Sequence, residues 1–432
     1  MVPLADAPRR VKVFVAVTAS ILILLVVLLW QDSDDATPVW VTKNKPGPSS
    51  PSAPADHHAS VPSTSSTPSK DSKTSAAGSS KDTHSNPNPA SPGVKAKDPL
   101  HDIGNSTLGF ERIFAIGFSN RMDKRDAVTV GASIAGLDLE WMEGVRAADI
   151  PEKGYPEGWD TNIRNENEIG CWRAHMNAIQ RIVQEKRSSA MIVEDDVDWE
   201  AHFRGLSRHF ATGARALQGS AEETRSPYGD DWDLLWTGGC AMRTIKPTFY
   251  VTYNETTVRP VEHRKDIWWP KISEEPEYEG ARFVFDGAVG DCTPSYALSY
   301  QGARKILTYI SMGTTTNTID IALARLCAGK LDVPFRCLGA YPTIFSSFWR
   351  AGSGMRDSEL RDGDPAWHPA TSAVAYSTMI NAGRLINGST TALAQWPEMN
   401  PQEIPLDYEP PSGEIVTVDE LPEEDRTEDD FP

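Results

Sequence analysis

The chain has 432 residues, with 42 Lys and Arg against 60 Asp and Glu and a net charge of −18. Eleven of those charges lie between Pro401 and Pro432, where twelve acids face one Arg, so the rest is only mildly acidic. Lys and Arg form no patch with interleaved aromatics, and no nucleic-acid partner is expected.

Read from the N-terminus, Arg9, Arg10 and Lys12 precede Val13 to Trp30, eighteen residues without a charge, and Asp32, Asp34 and Asp35 follow. At ~1.5 Å per residue a helix there reaches about 27 Å, the length of a thin bilayer. A cleaved signal peptide has a shorter apolar region followed by small residues, whereas Trp30-Gln31-Asp32 follows here. A transmembrane signal anchor is expected at 13–30, with a cytosolic tail at 1–12 and the rest luminal by the positive-inside rule. That topology predicts a single-pass type II protein of the Golgi or ER membrane. Residues 31–108 are rich in Ser, Pro and Thr, as in Pro62 to Pro68, and cannot offset their ordering entropy by burial, which predicts a disordered stem. A luminal domain is expected over 109–400, long enough for a large α/β unit, and an acidic disordered tail over 401–432.

The five cysteines, Cys171, Cys240, Cys292, Cys327 and Cys337, all fall in the large domain. At least one is unpaired, and Cys327 with Cys337 is a close pair in sequence. No zinc ligand pattern occurs. Asn105, Asn254 and Asn387 head glycosylation sequons, in keeping with a lumen.

Arg112 to Phe118 is β-branched and aromatic, which predicts a buried strand, followed by a polar turn at Ser119 to Arg125 and a helix to Ala135. Leu137 to Val145 reads as a second strand. Asn165 with Glu168 three positions on opens the clearest helix, whose apolar face is Ile169, Trp172, Met176, Ile179 and Val183. It ends near Glu185 to Arg187, and Ala190 to Val193 is the next strand. Trp232 to Trp236 reads as a strand running into Gly238 and Gly239. The section from Ile245 to Ala281, with Trp268 and Trp269, lacks a clean period and is long for a connection, as a lid or insertion would be; the two Trp would stack on a ligand or pack in the core. Thr293 to Leu298 predicts a strand, Gly302 to Ile310 a helix, and Asp320 the start of another. Strands alternating with helices imply a mainly parallel sheet, whose ligands bind beyond the strands' carboxyl ends.

There the apolar run Met191-Ile192-Val193 ends in three carboxylates, Glu194, Asp195 and Asp196. In an extended segment Glu194 and Asp196 share a face, roughly 6.6 Å apart along the backbone. Two like charges so placed call for a hard cation, Mn²⁺ or Mg²⁺, held by oxygen. A solvated turn is the alternative. Arg121 and Arg125 either meet a diphosphate or decorate a helix start capped by Asp123. His175 is either a satisfied core histidine or part of a ligand site.

Several segments, in order, resemble glycosyltransferase family 25, the lipooligosaccharide galactosyltransferase-like and collagen galactosyltransferase-like enzymes. Arg121 to Arg125 resembles the family's Arg-x-Asp-Arg segment, Glu168 to His175 its Glu-Ile-Gly-Cys-x-x-Ser-His helix start, and Val193 to Val197 its Leu-Glu-Asp-Asp motif. Tyr296 to Ala303, followed by Asp320, is similar to its Tyr-x-x-Ser-x-x-Gly-Ala element. The sequence departs at Gly117, where the family has Asn, and at Ala174, where it has Ser. The resemblance implies a GT-A type nucleotide-diphosphosugar transferase that moves a hexose, galactose from UDP-galactose, to a hydroxyl of a glycan or glycoprotein with inversion. It implies a metal at Glu194 and Asp196, donor contacts from Arg121, Arg125, His175 and Asp195, with Asp195 on a ribose hydroxyl, and Asp320 as general base. A metal-dependent hydrolase or phosphatase would also use clustered carboxylates, and a non-catalytic stalked surface glycoprotein would explain the anchor and sequons.

Overall fold

The structure, a computed structural model, describes residues 100–421 apart from 222, 264–277, 314–316, 361–362 and 420. Its centre is a nine-stranded sheet made of β1 (Arg112–Gly117), β2 (Glu140–Glu143), β3 (Ser189–Glu194), β4 (Leu234–Trp236), β5 (Thr248–Thr252), β6 (Arg282–Asp286), β7 (Ser295–Ser299), β8 (Cys337–Tyr341) and β9 (Glu414–Thr417). The strand order is β9-β5-β6-β8-β4-β7-β3-β1-β2. Only the β1/β2, β1/β3 and β4/β8 pairs are parallel; the other five are antiparallel.

The expectation of a mainly parallel sheet is therefore corrected to a mixed α/β sheet. Direction is not visible in local apolar patterning, because a strand buried on both faces reads the same whichever way it runs. The expected transmembrane helix is also corrected. Among the described residues no helix is long and apolar enough to cross a membrane, and 13–30 lies outside them.

Strand β3 shows why the sheet is covered twice. Ala190 and Ile192 join a core with Trp172, Met176 and Ile179 of α2 (Glu166–Gln184), while Met191 and Val193 join a second core with Leu206 and Phe210 of α3 (Phe203–Gln218). Alternation along one strand thus feeds two opposite layers. α2 matches its expected apolar face, and Asn165 caps it by accepting a hydrogen bond from the Asn167 N–H at 2.9 Å. The helix after β1, α1 (Met122–Ala135), has Arg121 at its N-cap position, with no side-chain cap bond, and Asp123 lies in its first turn.

Short ladders hold the sheet's periphery. Val197–Trp199 pairs with Phe345–Trp349, and the buried Glu200 accepts from the backbone N–H of Ala375 at 2.9 Å and Tyr376 at 2.8 Å. Disulfides join Cys240 to Cys292 and Cys327 to Cys337, leaving Cys171 free. Two expected disordered stretches contribute structure: Ile103 and Leu108, from the stem, are core residues, and β9, from the acidic tail, is the edge strand against β5. Both stretches are polar on average, so the few apolar residues that dock were masked by composition. Trp268 and Trp269 lie outside the described residues.

Candidate functional site

The C-terminal ends of β1, β2 and β3 open on a cavity of about 290 Å³. Gly117, Lys124, Gly170, His175, Glu194, Asp195 and Asp196 all line it. Close backbone approach shapes its walls. A Cβ on Gly170 would lie 2.3 Å from the Val145 carbonyl oxygen, so only glycine lets α2 sit against the segment after β2.

Strand β3 ends at Glu194, and Asp195 and Asp196 form the turn into Val197–Trp199. The alternation expected of an extended trio is lost at that turn. Asp195 does not point away from Asp196; the two share one cation. Lys124 Nζ lies 2.8 Å from Asp195 Oδ1 and 3.3 Å from Asp196 Oδ2. The remaining oxygen, Asp196 Oδ1, is buried with no hydrogen-bond partner.

Glu194 is held differently. Its Oε1 accepts from the Thr293 hydroxyl at 2.6 Å and lies 3.2 Å from His175 Nε2. His175 Nδ1 is 2.9 Å from the Tyr296 hydroxyl, so both ring nitrogens are spent inside the protein. His175 thus positions Glu194 at the edge of the cavity. Thr293 and Tyr296 arrive here because β7 runs antiparallel to β3, bringing the start of one strand to the end of the other.

Burial and neighbouring charge push these carboxylates apart in acidity. Burial pushes Asp196 up to about 6 against the pull of Lys124, with Glu194 and Asp195 adding repulsion. Asp195 is raised by burial as well. Burial also works to raise Glu194, but its hydrogen bonds to His175 and Thr293 outweigh this, and its net shift is downward.

The other expected residues are placed as follows. Arg125 donates to the carbonyl oxygens of Gly117 at 2.9 Å and Phe118 at 3.2 Å and pairs with Glu143, so it braces the end of β1. Arg121 is hydrogen-bonded to Asp123 and Glu359 and lines a second, smaller cavity that shares Lys124, Asp195 and Asp196 with the first. Arg350 and Arg356 line that smaller cavity too. Asp320 lies in the first turn of α4 (Ile319–Cys327), where its Oδ1 accepts from the Ile321 N–H at 2.9 Å, as in the helix-start reading. It is not a lining residue of the large cavity, although its charge acts on the thiol of Cys171, which is.

Sequence reasoning missed Lys124, because a lysine in a polar helix start normally faces water. Thr293 was read only as a strand residue.

The trio offers oxygen atoms only, the donor type a hard divalent ion takes, and one of them, Asp196 Oδ1, is a buried carboxylate oxygen without a hydrogen-bond partner.

No family model matches the chain. It is similar to a glycosyltransferase 25 family member of Anopheles gambiae, at 22% identity over 219 residues, 48% of this chain and 30% of that protein. Procollagen galactosyltransferase 1 of Danio rerio is 26% identical over 153 residues, 32% of this chain and 23% of that protein. The human inactive glycosyltransferase 25 family member 3 is 23% identical over 213 residues, 47% of this chain and 29% of that protein. The chain spans less than a third of the length of these relatives, and the resemblance read from its motifs is borne out.

Proposed function

We propose that this chain is a metal-dependent glycosyltransferase that moves a hexose, galactose from UDP-galactose, to a hydroxyl of a glycan or glycoprotein acceptor. The observation that carries the reading is the trio Glu194–Asp196 on the wall of a cavity large enough for part of a nucleotide sugar, with Asp196 Oδ1 buried and unpartnered. The similarity to galactosyltransferase relatives supports the reaction class.

In this reading Glu194 and Asp196 hold Mn²⁺ or Mg²⁺, which when bound supplies charge neutralisation at the leaving diphosphate. The chain's own residues do the rest. His175 and Thr293 fix Glu194 in one orientation, so that little rearrangement is needed when a donor arrives. Lys124 fixes Asp195 and Asp196. Arg121, Arg350 and Arg356 offer guanidinium groups beside the trio for the diphosphate. The motif resemblance assigns the acceptor proton to Asp320, which stands behind Cys171 and not on the cavity wall. Two disulfides and three exposed sequon asparagines, Asn105, Asn254 and Asn387, fit an oxidising, glycosylating compartment such as the Golgi or ER lumen.

Incubating the full chain with a panel of UDP-sugars, Mn²⁺ and an acceptor panel tests the reading. Nucleotide release with one donor, lost on chelation, is the expected result. No release with any donor would overturn it and leave a non-catalytic protein, as the inactive relative's name would have it. Phosphate-ester cleavage would favour a hydrolase.

A further inference from the structure

Lys124 lies on the first turn of α1, 8% exposed, with its ammonium on two carboxylates at once. Burying a lysine is costly unless the charge is paired, and here the pairing takes one oxygen each from Asp195 and Asp196. Lys124 also lines both cavities, the large one and the small one where Arg121, Arg350 and Arg356 gather. A fixed positive charge in contact with a metal-holding carboxylate acts on two kinds of visitor with opposite sign. It repels a free divalent cation and attracts a diphosphate.

We propose that Lys124 is a resident counter-ion that keeps the trio's affinity for a free divalent ion low and its affinity for a nucleoside diphosphate high, so that ion and donor are taken up together. This rests on the transferase reading for the identity of the donor, but not for the effect on the ion. One oxygen each of Asp195 and Asp196 stays paired with the ammonium while the site waits. Without the ammonium, Asp195 and Asp196 would both be open to a cation.

The test measures binding instead of turnover. Full-length wild type, Lys124→Met and Lys124→Gln are titrated with Mn²⁺ alone, and then with UDP at saturating Mn²⁺, by calorimetry at neutral pH and low salt. Expected is a split: Mn²⁺ binds the neutral variants at least about tenfold more tightly, and UDP at least about tenfold more weakly, because one nearby unit charge has been removed. Loss of structure would weaken both, so the opposite signs separate charge from fold. Lys124→Gln keeps a donor for Asp195 and serves if the methionine variant does not fold. Mn²⁺ affinity unchanged or weakened in a folded variant, or UDP affinity unchanged, overturns the proposal. If no donor supports transfer and yet Mn²⁺ binding tightens, the transferase reading fails while the counter-ion role stands. If transfer occurs and Mn²⁺ binding does not tighten, only the counter-ion role fails.

Discussion

A Cβ added to Gly117 would lie 2.5 Å from the Cβ of Asp195, so β1 ends in glycine because the carboxylate turn of β3 packs directly against its backbone. The Asn found here in family 25 would not fit without moving that turn. Gly117→Ala should cost about 1–3 kcal/mol by overpacking. It should also displace Asp195 from Lys124. Thermal denaturation reads the first effect and Mn²⁺ titration the second; wild-type behaviour in both would contradict the close packing.

Asp196→Asn retains the shape of the side chain and removes its charge. Transfer should fall by at least about a hundredfold, since a ligand to the ion is lost. The melting temperature should stay within a few degrees of wild type, because the charge being deleted is itself held against burial. A variant with full turnover would reject the assignment.

Glu200 sets a pH dependence of stability away from the site. Burial raises it from an ordinary 4.5 to about 7, despite the two backbone N–H groups it accepts from. Between those values the folded chain holds a proton that the unfolded chain has released, so this contribution to stability falls as pH rises through the window. The advantage of wild type over Glu200→Gln should therefore shrink by on the order of 2–3 kcal/mol between pH 5 and pH 8. Denaturant titrations at both pH values measure it. An advantage that grows with pH would show the carboxylate to be ionised in the fold.

The Cys240–Cys292 disulfide anchors the residue before Thr293, whose hydroxyl holds Glu194. Replacing both cysteines by Ser should cost about 2–4 kcal/mol. Mn²⁺ affinity should drop as well, while the Cys327–Cys337 double variant should lose stability with less effect on the ion. Equal effects of the two pairs on Mn²⁺ binding would show that the Thr293 contact does not depend on its neighbour.

Sequence alone revealed what depends on local periodicity. The apolar stripe from Ile169 to Ile179 gave α2, and the short apolar run before Glu194 gave β3, because each repeats with the period of its element. The carboxylate trio stood out as an unusual end to a buried strand. What stayed hidden depends on partners distant in the chain. Lys124 is separated from Asp195 by 71 positions, and nothing around it distinguishes a buried ammonium from a solvated one. The direction of β7 was hidden as well, since it follows from the path of the connection before it. The contacts of Arg125 were hidden for a related reason: two of its partners are backbone carbonyls, which carry no signature in the sequence.

The reversed run of β7 between β3 and β4 ties the chemistry to the correctness of folding. Ser295 lies opposite Val193 and Tyr296 opposite Ile192. A slip of a single position there would turn Tyr296 to the other face, freeing His175 and loosening Glu194. A misaligned molecule would thus be disarmed as well as misfolded, and catalytic competence would report on pairing fidelity in the middle of the sheet.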